Sequence, residues 1–269
     1  MFKSRLISGV ILVVLAFLFI HFGGNLLLCV CGIISLIGLF EFYRVFELER
    51  SALGVIGYVA VIIYYLNLAF SFLPSVMLLV MALVIALMCA MVFKYPDYKP
   101  NQIMQTFFGV FYVAVMISCV YLTRELPNGR YLVWLIFWCS WGCDTCAYCV
   151  GKLIGKHKMT PKLSPKKSVE GAFGGVIGAA ILAFLYGLIF HKPLNADFGY
   201  ILLMVVICAA GALLSMVGDL CASAIKRNYD IKDYGKLIPG HGGIMDRFDS
   251  VIFTAPVIYY LSILLFNAR

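Results

Sequence analysis

SVMLLVMALVIALMCAMVF, residues 75–93, is a stretch without a charged residue. It is about as long as the ~20 residues that an α-helix needs to cross the hydrocarbon core of a bilayer. Comparable apolar stretches recur along the chain, at about residues 5–22, 25–41, 52–73, 103–122, 131–150, 172–190, 199–224 and 251–267. The sequence therefore predicts an all-α, polytopic integral membrane protein with about nine transmembrane helices.

The composition supports the same fold class. Hydrophobic residues make up 63% of the 269 residues and charged residues 13%, and the mean hydropathy is +0.99. Soluble domains are roughly half apolar and about a quarter charged, so a water-soluble globular fold is excluded. Most of the ten cysteines lie inside apolar stretches, where we expect reduced thiols that pack as small hydrophobic side chains.

The basic residues indicate how the helices are oriented. If the N-terminus is cytoplasmic, all but four of the 21 Lys and Arg residues fall on cytoplasmic segments, the exceptions being Arg124, Arg130, Lys192 and Arg269. Cytoplasmic loops of membrane proteins carry an excess of positive charge. We therefore predict a cytoplasmic N-terminus.

Two predicted cytoplasmic loops, 151–170 and 226–250, are particularly rich in lysine and arginine. Such loops suit anionic lipid headgroups or the phosphates of a nucleotide. A simpler interpretation is that these charges only enforce topology and contact anionic lipid. We divide the chain into N-terminal transmembrane helices, 1–125, and a C-terminal catalytic transmembrane region, 126–269, which contains both loops.

Four aspartates occur where a membrane protein rarely tolerates them. Asp144 and Asp219 fall inside predicted spans, where an ionised group costs at least ~2.5–3.5 kcal/mol. Asp246 and Asp249 are three residues apart at the start of the last span, so a helix would present both on one side. We expect the four carboxylates to converge near the cytoplasmic interface.

Clustered carboxylates repel one another unless cations lie between them. Hard oxygen ligands favour Mg²⁺, which prefers a few carboxylates together with phosphate oxygens, so the pattern predicts a metal that carries a nucleoside triphosphate. Other roles remain open. Asp144 and Asp219 could pair with buried lysines or line a cation pathway, and Asp246 and Asp249 could be ordinary acids at a helix start.

The two loops contain further candidates for phosphate binding. Glycines surround a histidine in Pro239-Gly-His-Gly-Gly243, and such a turn lets backbone amides approach an anion closely. The segment Lys152–Gly171 contains six lysines, with prolines that limit its freedom. The 152–171 segment could hold a triphosphate or a phosphatidate headgroup.

Taken together, these residues resemble the signature of the phosphatidate cytidylyltransferases (CDP-diacylglycerol synthases). Residues 223–249 match the pattern S-x-x-K-R-x4-K-D-x-G-x3-P-x-H-G-G-x2-D-R-x-D without a departure. Upstream, Asp144-x-x-Ala-Tyr-x-x-Gly-Lys152 and Ser215-x-x-Gly-Asp219 are also similar to the family. The resemblance covers about half of the chain, and the N-terminal spans share only their hydropathy with the family.

The resemblance implies an activity and its requirements. A member of this family would transfer CMP from CTP to phosphatidic acid, giving CDP-diacylglycerol and pyrophosphate for phospholipid biosynthesis. It would depend on Mg²⁺, with one or two cations bound, and would be a homodimeric, multi-pass protein of a bacterial inner (plasma) membrane. Its active site would face the cytoplasm, and no nucleic acid would be involved.

We assign candidate roles on the combined basis of chemistry and resemblance. The predicted metal ligands are Asp144, Asp219, Asp246 and Asp249, which together with Lys226 and Arg227 form the predicted catalytic set. The predicted CTP-binding or phosphate-binding residues are Lys166, Lys167, Ser223, His241, Gly242, Gly243 and Arg247. Two rival functions stay open: a CTP-dependent polyprenol or phytol kinase, and an ion or solute carrier.

Overall fold

The computed structural model describes residues 2–238, 240 and 242–266. The first half of the chain forms α1 (Phe2–Phe22), α2 (Gly24–Val45), α3 (Ala52–Phe70), α4 (Val76–Phe93), α5 (Pro100–Gly109) and α6 (Met116–Glu125). The second half forms α7 (Gly129–Phe137), α8 (Cys143–Ile154), α9 (Val169–Ile189), α10 (His191–Leu194), α11 (Phe198–Asn228) and α12 (Met245–Phe266).

Two short π-helical segments join neighbouring helices end to end. Val110–Val115 connects α5 to α6, and Trp138–Gly142 connects α7 to α8. Each pair therefore forms one continuous element, Pro100–Glu125 and Gly129–Ile154, long enough to cross a membrane. Such single-turn π segments often occur near functional sites, and the second one directly precedes the helix that carries Asp144.

Eight helical elements of the described residues are long and apolar enough to span a bilayer, and a shorter apolar part of α1, Ser8–Phe22, precedes them. Many large apolar side chains on them are exposed, such as Val92 and Phe93 at 68% and 85%. Water would penalise so much apolar surface, whereas lipid solvates it. The predicted all-α, multi-pass membrane architecture is confirmed, while the count of about nine spans and the cytoplasmic N-terminus stay predictions.

A β-hairpin interrupts the helices within the basic segment after α8. Strand β1 (Lys158–Thr160) pairs antiparallel with β2 (Ser164–Ser168), with Lys158 opposite Ser168 and Thr160 opposite Ser164. The sequence predicts only a basic loop here, because the lysines and prolines give no alternation of apolar and polar residues. The strands are short, and they place the lysines on a defined scaffold.

The described chain forms two compact units. The first consists of residues 1–121 and 233–247, and its core includes Phe42 and Tyr43. The second consists of residues 122–232 and 248–269, and includes α8, α9, α11 and most of α12. The predicted division of the chain after residue 125 stays a prediction.

Small residues allow the helices of the second unit to approach closely. A Cβ on Gly178 of α9 would lie 2.5 Å from Cys146 Sγ of α8, and one on Gly211 of α11 would lie 2.8 Å from Cys139 Sγ. Because both glycines lack a side chain, the backbone of α9 can lie directly against Cys146 and the backbone of α11 directly against Cys139. This close packing sets the distances between the polar groups that the helices carry.

Candidate active site

Three of the predicted catalytic carboxylates lie together in the second unit. Asp144 is on α8, Asp219 on α11 and Asp249 on α12. Asp249 is 8% exposed and interacts electrostatically with Asp219, Asp144 and Lys226. The structure therefore brings residues that are 105 positions apart in the sequence, from Asp144 to Asp249, into one electrostatic cluster.

A serine that the sequence analysis did not select links two of these carboxylates. Ser250 is 2% exposed, and its backbone N–H donates to Asp249 Oδ1 at 2.8 Å. Its Oγ donates to Asp144 Oδ2 at 3.3 Å. Ser250 therefore orients an acid on each of two helices. Its position directly after the last residue of the signature is the only sequence signal that could have suggested it.

The glycine before Asp219 lets α11 approach α12. A Cβ on Gly218 would lie 2.8 Å from the carbonyl oxygen of Asp249 and 2.8 Å from the ring of Phe253. Any side chain at this position would push the two helices apart. Gly218 thus allows α11 and α12 to come into close contact, and the next residue, Asp219, places its carboxylate near this contact.

Lys167 of β2 forms an ion pair with Asp219. The two side chains are 24% and 27% exposed, and Lys167 Nζ is buried. Its contact with Asp219 is close but does not have hydrogen-bond geometry, and no other group hydrogen-bonds to this nitrogen within the described residues. A lysine partner for Asp219 was one of the open alternatives, and the observed partner is also a predicted phosphate-binding residue.

Backbone and side-chain contacts fix the hairpin that carries Lys167. The Val169 N–H donates to the His157 carbonyl at 2.9 Å, and Ser168 Oγ accepts from Gly171 N–H at 3.1 Å, capping α9. Glu170 Oε2 accepts from Lys156 N–H at 3.1 Å and Glu170 Oε1 lies 2.6 Å from His157 Nδ1. The ends of the basic segment are therefore tied to the start of α9.

A cavity of about 510 Å³ lies between the hairpin and the helices of the second unit. Its volume is in the range of small-molecule sites. Asp144 and Asp219 contribute its acidic lining, and its basic lining consists of Lys152, Lys158, Lys166 and Lys167. Ala147, Ala172 and Met216 contribute apolar surface. The cavity can thus receive both phosphate groups and an apolar portion of a ligand.

The remaining predicted residues of the second unit lie towards the end of α11. Ser223 and Lys226 are partly buried, and Arg227 is exposed. Ser223 follows Asp219 by four residues, so both lie on the same face of α11. Lys226 interacts with Asp249, whereas the phosphate-binding roles of Ser223 and Arg227 stay predictions.

In the first unit, Asp246 organises the loop that precedes α12. It is 7% exposed, and its Oδ2 accepts from the N–H groups of Tyr234 at 2.8 Å, Gly243 at 3.0 Å and Gly235 at 3.4 Å. Gly242 adopts φ +85°, and a Cβ there would lie 2.8 Å from Asp246 Oδ2. Glycine is therefore required at this position both by conformation and by space.

Of the two other predicted residues in this region, the structure describes Arg247 but not His241. Arg247 directly follows Asp246 in α12 and is partly buried. His241 lies outside the described residues, so its predicted role in phosphate binding stays a prediction. The placement of Asp246 among backbone donors shows that this carboxylate has a local structural role, while its predicted role as a metal ligand stays a prediction.

The donor chemistry of the second unit suits a hard divalent cation. Asp144, Asp219 and Asp249 are acidic oxygen donors, and Asp249 interacts electrostatically with each of the other two. Within the described part of the chain, no three His, Cys, Asp or Glu side chains form a group that closes around one ion. Mg²⁺ usually takes one or two carboxylates plus substrate phosphates rather than a complete protein cage. The carboxylates therefore fit such an ion, and Mg²⁺ stays a prediction.

The fold and the site together define a multi-pass membrane protein with a phosphate-compatible cavity lined by partly buried carboxylates. A family model described as "Cytidylyltransferase family" matches residues 3–265. The chain belongs to the cytidylyltransferase family, and it is therefore a nucleotidyltransferase. The family recognised from the signature is confirmed.

Individual relatives are similar over nearly the whole chain in two cases and over two thirds of it in a third. The phosphatidate cytidylyltransferase of Bacillus subtilis is 33% identical over 272 residues, covering 96% of this chain and 97% of that protein. The phosphatidate cytidylyltransferase of Staphylococcus aureus is 34% identical over 269 residues, covering 97% and 99%. The one from Rickettsia bellii is 34% identical over 182 residues, covering 67% and 78%.

Proposed function

We propose that this chain is a phosphatidate cytidylyltransferase, which transfers CMP from CTP to phosphatidic acid and releases pyrophosphate. The observation that carries the proposal is the cavity of the second unit, where four lysines and two aspartates line one space. Lysines suit the phosphates of both substrates, and the aspartates suit a phosphate-bound cation. Family membership and the names of the similar bacterial proteins support the same reaction.

The location of the cavity suits a lipid substrate. Its walls include residues of α8, α9 and α11, which belong to elements apolar enough to span a bilayer. A phosphatidate can therefore leave its acyl chains in the membrane while its headgroup enters beside Lys166 and Lys167. A soluble enzyme would have to extract the lipid first, at the cost of exposing its acyl chains to water.

The reaction needs positioning and charge neutralisation more than proton transfer. An oxygen of the phosphatidate phosphate attacks the α-phosphorus of CTP, and the bond from that phosphorus to the bridging oxygen breaks, so that pyrophosphate leaves. Lys167, released from Asp219, and Lys226 would offset the charge of two polyanions held close together. Arg227 and Arg247 are further candidates for this role.

The carboxylates have a separate task in this proposal. Asp144, Asp219 and Asp249 would hold Mg²⁺, which when bound neutralises phosphate oxygens and orients the triphosphate. Ser250 fixes the directions of Asp144 and Asp249 before substrate arrives. Asp246, Gly242 and Gly243 are proposed to act from the loop before α12, with His241 as an additional phosphate ligand.

The membrane in which the protein lies, the side of the membrane that the active site faces, and the oligomeric state are proposals as well. A multi-pass protein of this family is expected in the bacterial inner (plasma) membrane, with the basic hairpin on the cytoplasmic side, where CTP is made. A homodimer is proposed on the resemblance alone. Membrane lipid would surround the exposed apolar faces, and no nucleic acid is expected to bind.

Product analysis of the purified protein tests the proposed reaction. The full chain in detergent is incubated with CTP, phosphatidate and Mg²⁺, and the products are separated by chromatography and identified by mass. A cytidine-bearing lipid with pyrophosphate supports the proposal. CDP with a phosphorylated lipid alcohol, formed when polyprenol or phytol is supplied, would favour the kinase. No chemistry with any of these lipids would favour a carrier.

A further inference from the structure

Glu41 is a buried acid that the sequence analysis did not consider. It lies near the C-terminal end of α2, inside an element apolar enough to span a membrane, and is 4% exposed. A carboxylate at such a position is costly unless polar partners compensate it. Its partners therefore indicate what the residue is for.

The partners of Glu41 are backbone amides at the start of α12. Met245, the first residue of that helix, donates its N–H to Glu41 Oε2 at 2.9 Å, and the backbone of Ile244 also hydrogen-bonds to the carboxylate. The first amides of a helix have no acceptor within the helix, and the N-terminus favours negative charge. Glu41 thus caps α12 from another helix, 204 residues away in sequence.

The loop before α12 passes directly over the Glu41 carboxylate. A Cβ on Gly235 would overlap this carboxylate, and the three atoms nearest to a Cβ on Gly243 all belong to Glu41. One turn further along α2, Arg44 Nη2 donates to the carbonyl of Tyr234. The same stretch of backbone donates three amides to Asp246 Oδ2.

We propose that Glu41 is a positioning residue for cytidylyl transfer. It holds the start of α12 and the glycines of the preceding loop in the conformation that presents Asp246, Gly242 and Gly243. It acts through these residues and does not itself contact substrate. The inference rests on the proposed function, because it assigns the loop a part in that reaction.

The first test compares Glu41→Gln with a matched control in the purified full-length protein. Glutamine keeps the size of the side chain but replaces one acceptor oxygen with an NH₂ group that would face backbone donors. We expect kcat to fall about 10- to 100-fold, as for other residues that orient an active-site group. Glu47→Gln, the same change at an exposed position six residues on, should leave kcat unchanged.

Two further readouts separate positioning from a general loss of structure. In Glu41→Gln the thermal midpoint in detergent should stay close to that of the wild type, while hydrogen exchange at the Met245 amide should accelerate. A kcat equal to that of the wild type in a folded Glu41→Gln protein would overturn the proposal. Fast exchange of the Met245 amide in the wild type would also overturn it, whether or not the variants fold.

A double-mutant cycle with Gly243 tests the contact itself. Gly243→Ala should lower kcat, because its methyl group would overlap the Glu41 carboxylate. In a Glu41→Ala background the methyl group has space, so the additional loss from Gly243→Ala should be much smaller. Equal losses in both backgrounds would contradict the contact.

The outcomes distinguish this inference from the proposed function. If the wild-type protein forms no cytidine-bearing lipid, the proposed function fails, and the exchange at Met245 still reports whether Glu41 holds the loop. If the wild type is active and Glu41→Gln is equally active, the inference fails and the proposed function stands.

Discussion

Lys167 on the β-hairpin and Asp219 on α11 form an ion pair on the wall of the cavity. The pair places a predicted phosphate-binding cation against a predicted metal-binding anion. Each side chain compensates the charge of the other, which limits the free-energy cost of burying both. Substrate phosphate would attract Lys167 and a divalent cation would attract Asp219, so both partners are charged groups already in place for the reaction.

Removing the cation of this pair should impair the reaction strongly. Lys167→Met keeps much of the apolar stem but leaves Asp219 without its ion-pair partner and the phosphates without a ligand. A lost hydrogen bond to a charged group costs about 1.5–3 kcal/mol, so kcat/KM for CDP-diacylglycerol formation should fall about 10- to 100-fold. Lys162→Met, in the exposed turn of the same hairpin, is the matched control and should be close to wild type. Equal activity of the two variants would exclude a role for Lys167.

The serine that links two acids should matter less than the acids themselves. Ser250→Ala removes the Oγ donor to Asp144 but keeps the backbone donor to Asp249. A hydrogen bond to a charged group contributes about 1.5–3 kcal/mol, and this one is long at 3.3 Å, so we expect kcat to fall roughly tenfold in steady-state assays. Ser262→Ala on the same helix, where the buried hydroxyl has no hydrogen-bond partner within the described residues, should not reduce kcat. A loss at Ser262 as large as that at Ser250 would argue against the proposed link.

The close contact between α11 and α12 gives a prediction for stability. Gly218→Ala places a methyl group 2.8 Å from the Asp249 carbonyl oxygen and the Phe253 ring, so the helices must separate. Overpacking of this kind costs about 1–3 kcal/mol, and we expect a lower thermal midpoint together with reduced activity. Gly32→Ala, where the nearest atom would be at an ordinary 3.4 Å, serves as the control. An unchanged midpoint and activity in Gly218→Ala would contradict the packing described for this glycine.

The sequence predicted the parts of the fold that depend on local composition. Apolar stretches of sufficient length can be recognised without knowing their neighbours, and an aspartate such as Asp144 is conspicuous in an apolar span because lipid penalises it. The β-hairpin was not predicted, because its lysines and prolines lack the alternation typical of strands. Its two strands are defined by their pairing with each other and by the contacts of Glu170, which anchor the start of the hairpin to α9.

The contacts between distant residues could not be predicted in the same way. The sequence offered six lysines in the 152–171 segment and did not indicate that Lys167 is the partner of Asp219. Ser250 could not be distinguished from other serines, because a serine in an apolar helix is common. Glu41 could have been noticed as a carboxylate at the end of a predicted span, but its partners lie about 200 residues further along the chain. Such pairings are set by helix packing, which periodicity does not encode.

The fate of the phosphorus atoms of CTP tests the account most directly. Purified wild type and Asp219→Asn are incubated with phosphatidate, Mg²⁺ and CTP that carries ³²P at either the α or the γ position, with Asp97→Asn as an exposed control. We predict that the wild type and Asp97→Asn place the α label in lipid and the γ label in pyrophosphate. Asp219→Asn should remain folded but form labelled lipid at a rate at least about 100-fold lower. Transfer of the γ label to lipid, or an unimpaired Asp219→Asn, would contradict the account.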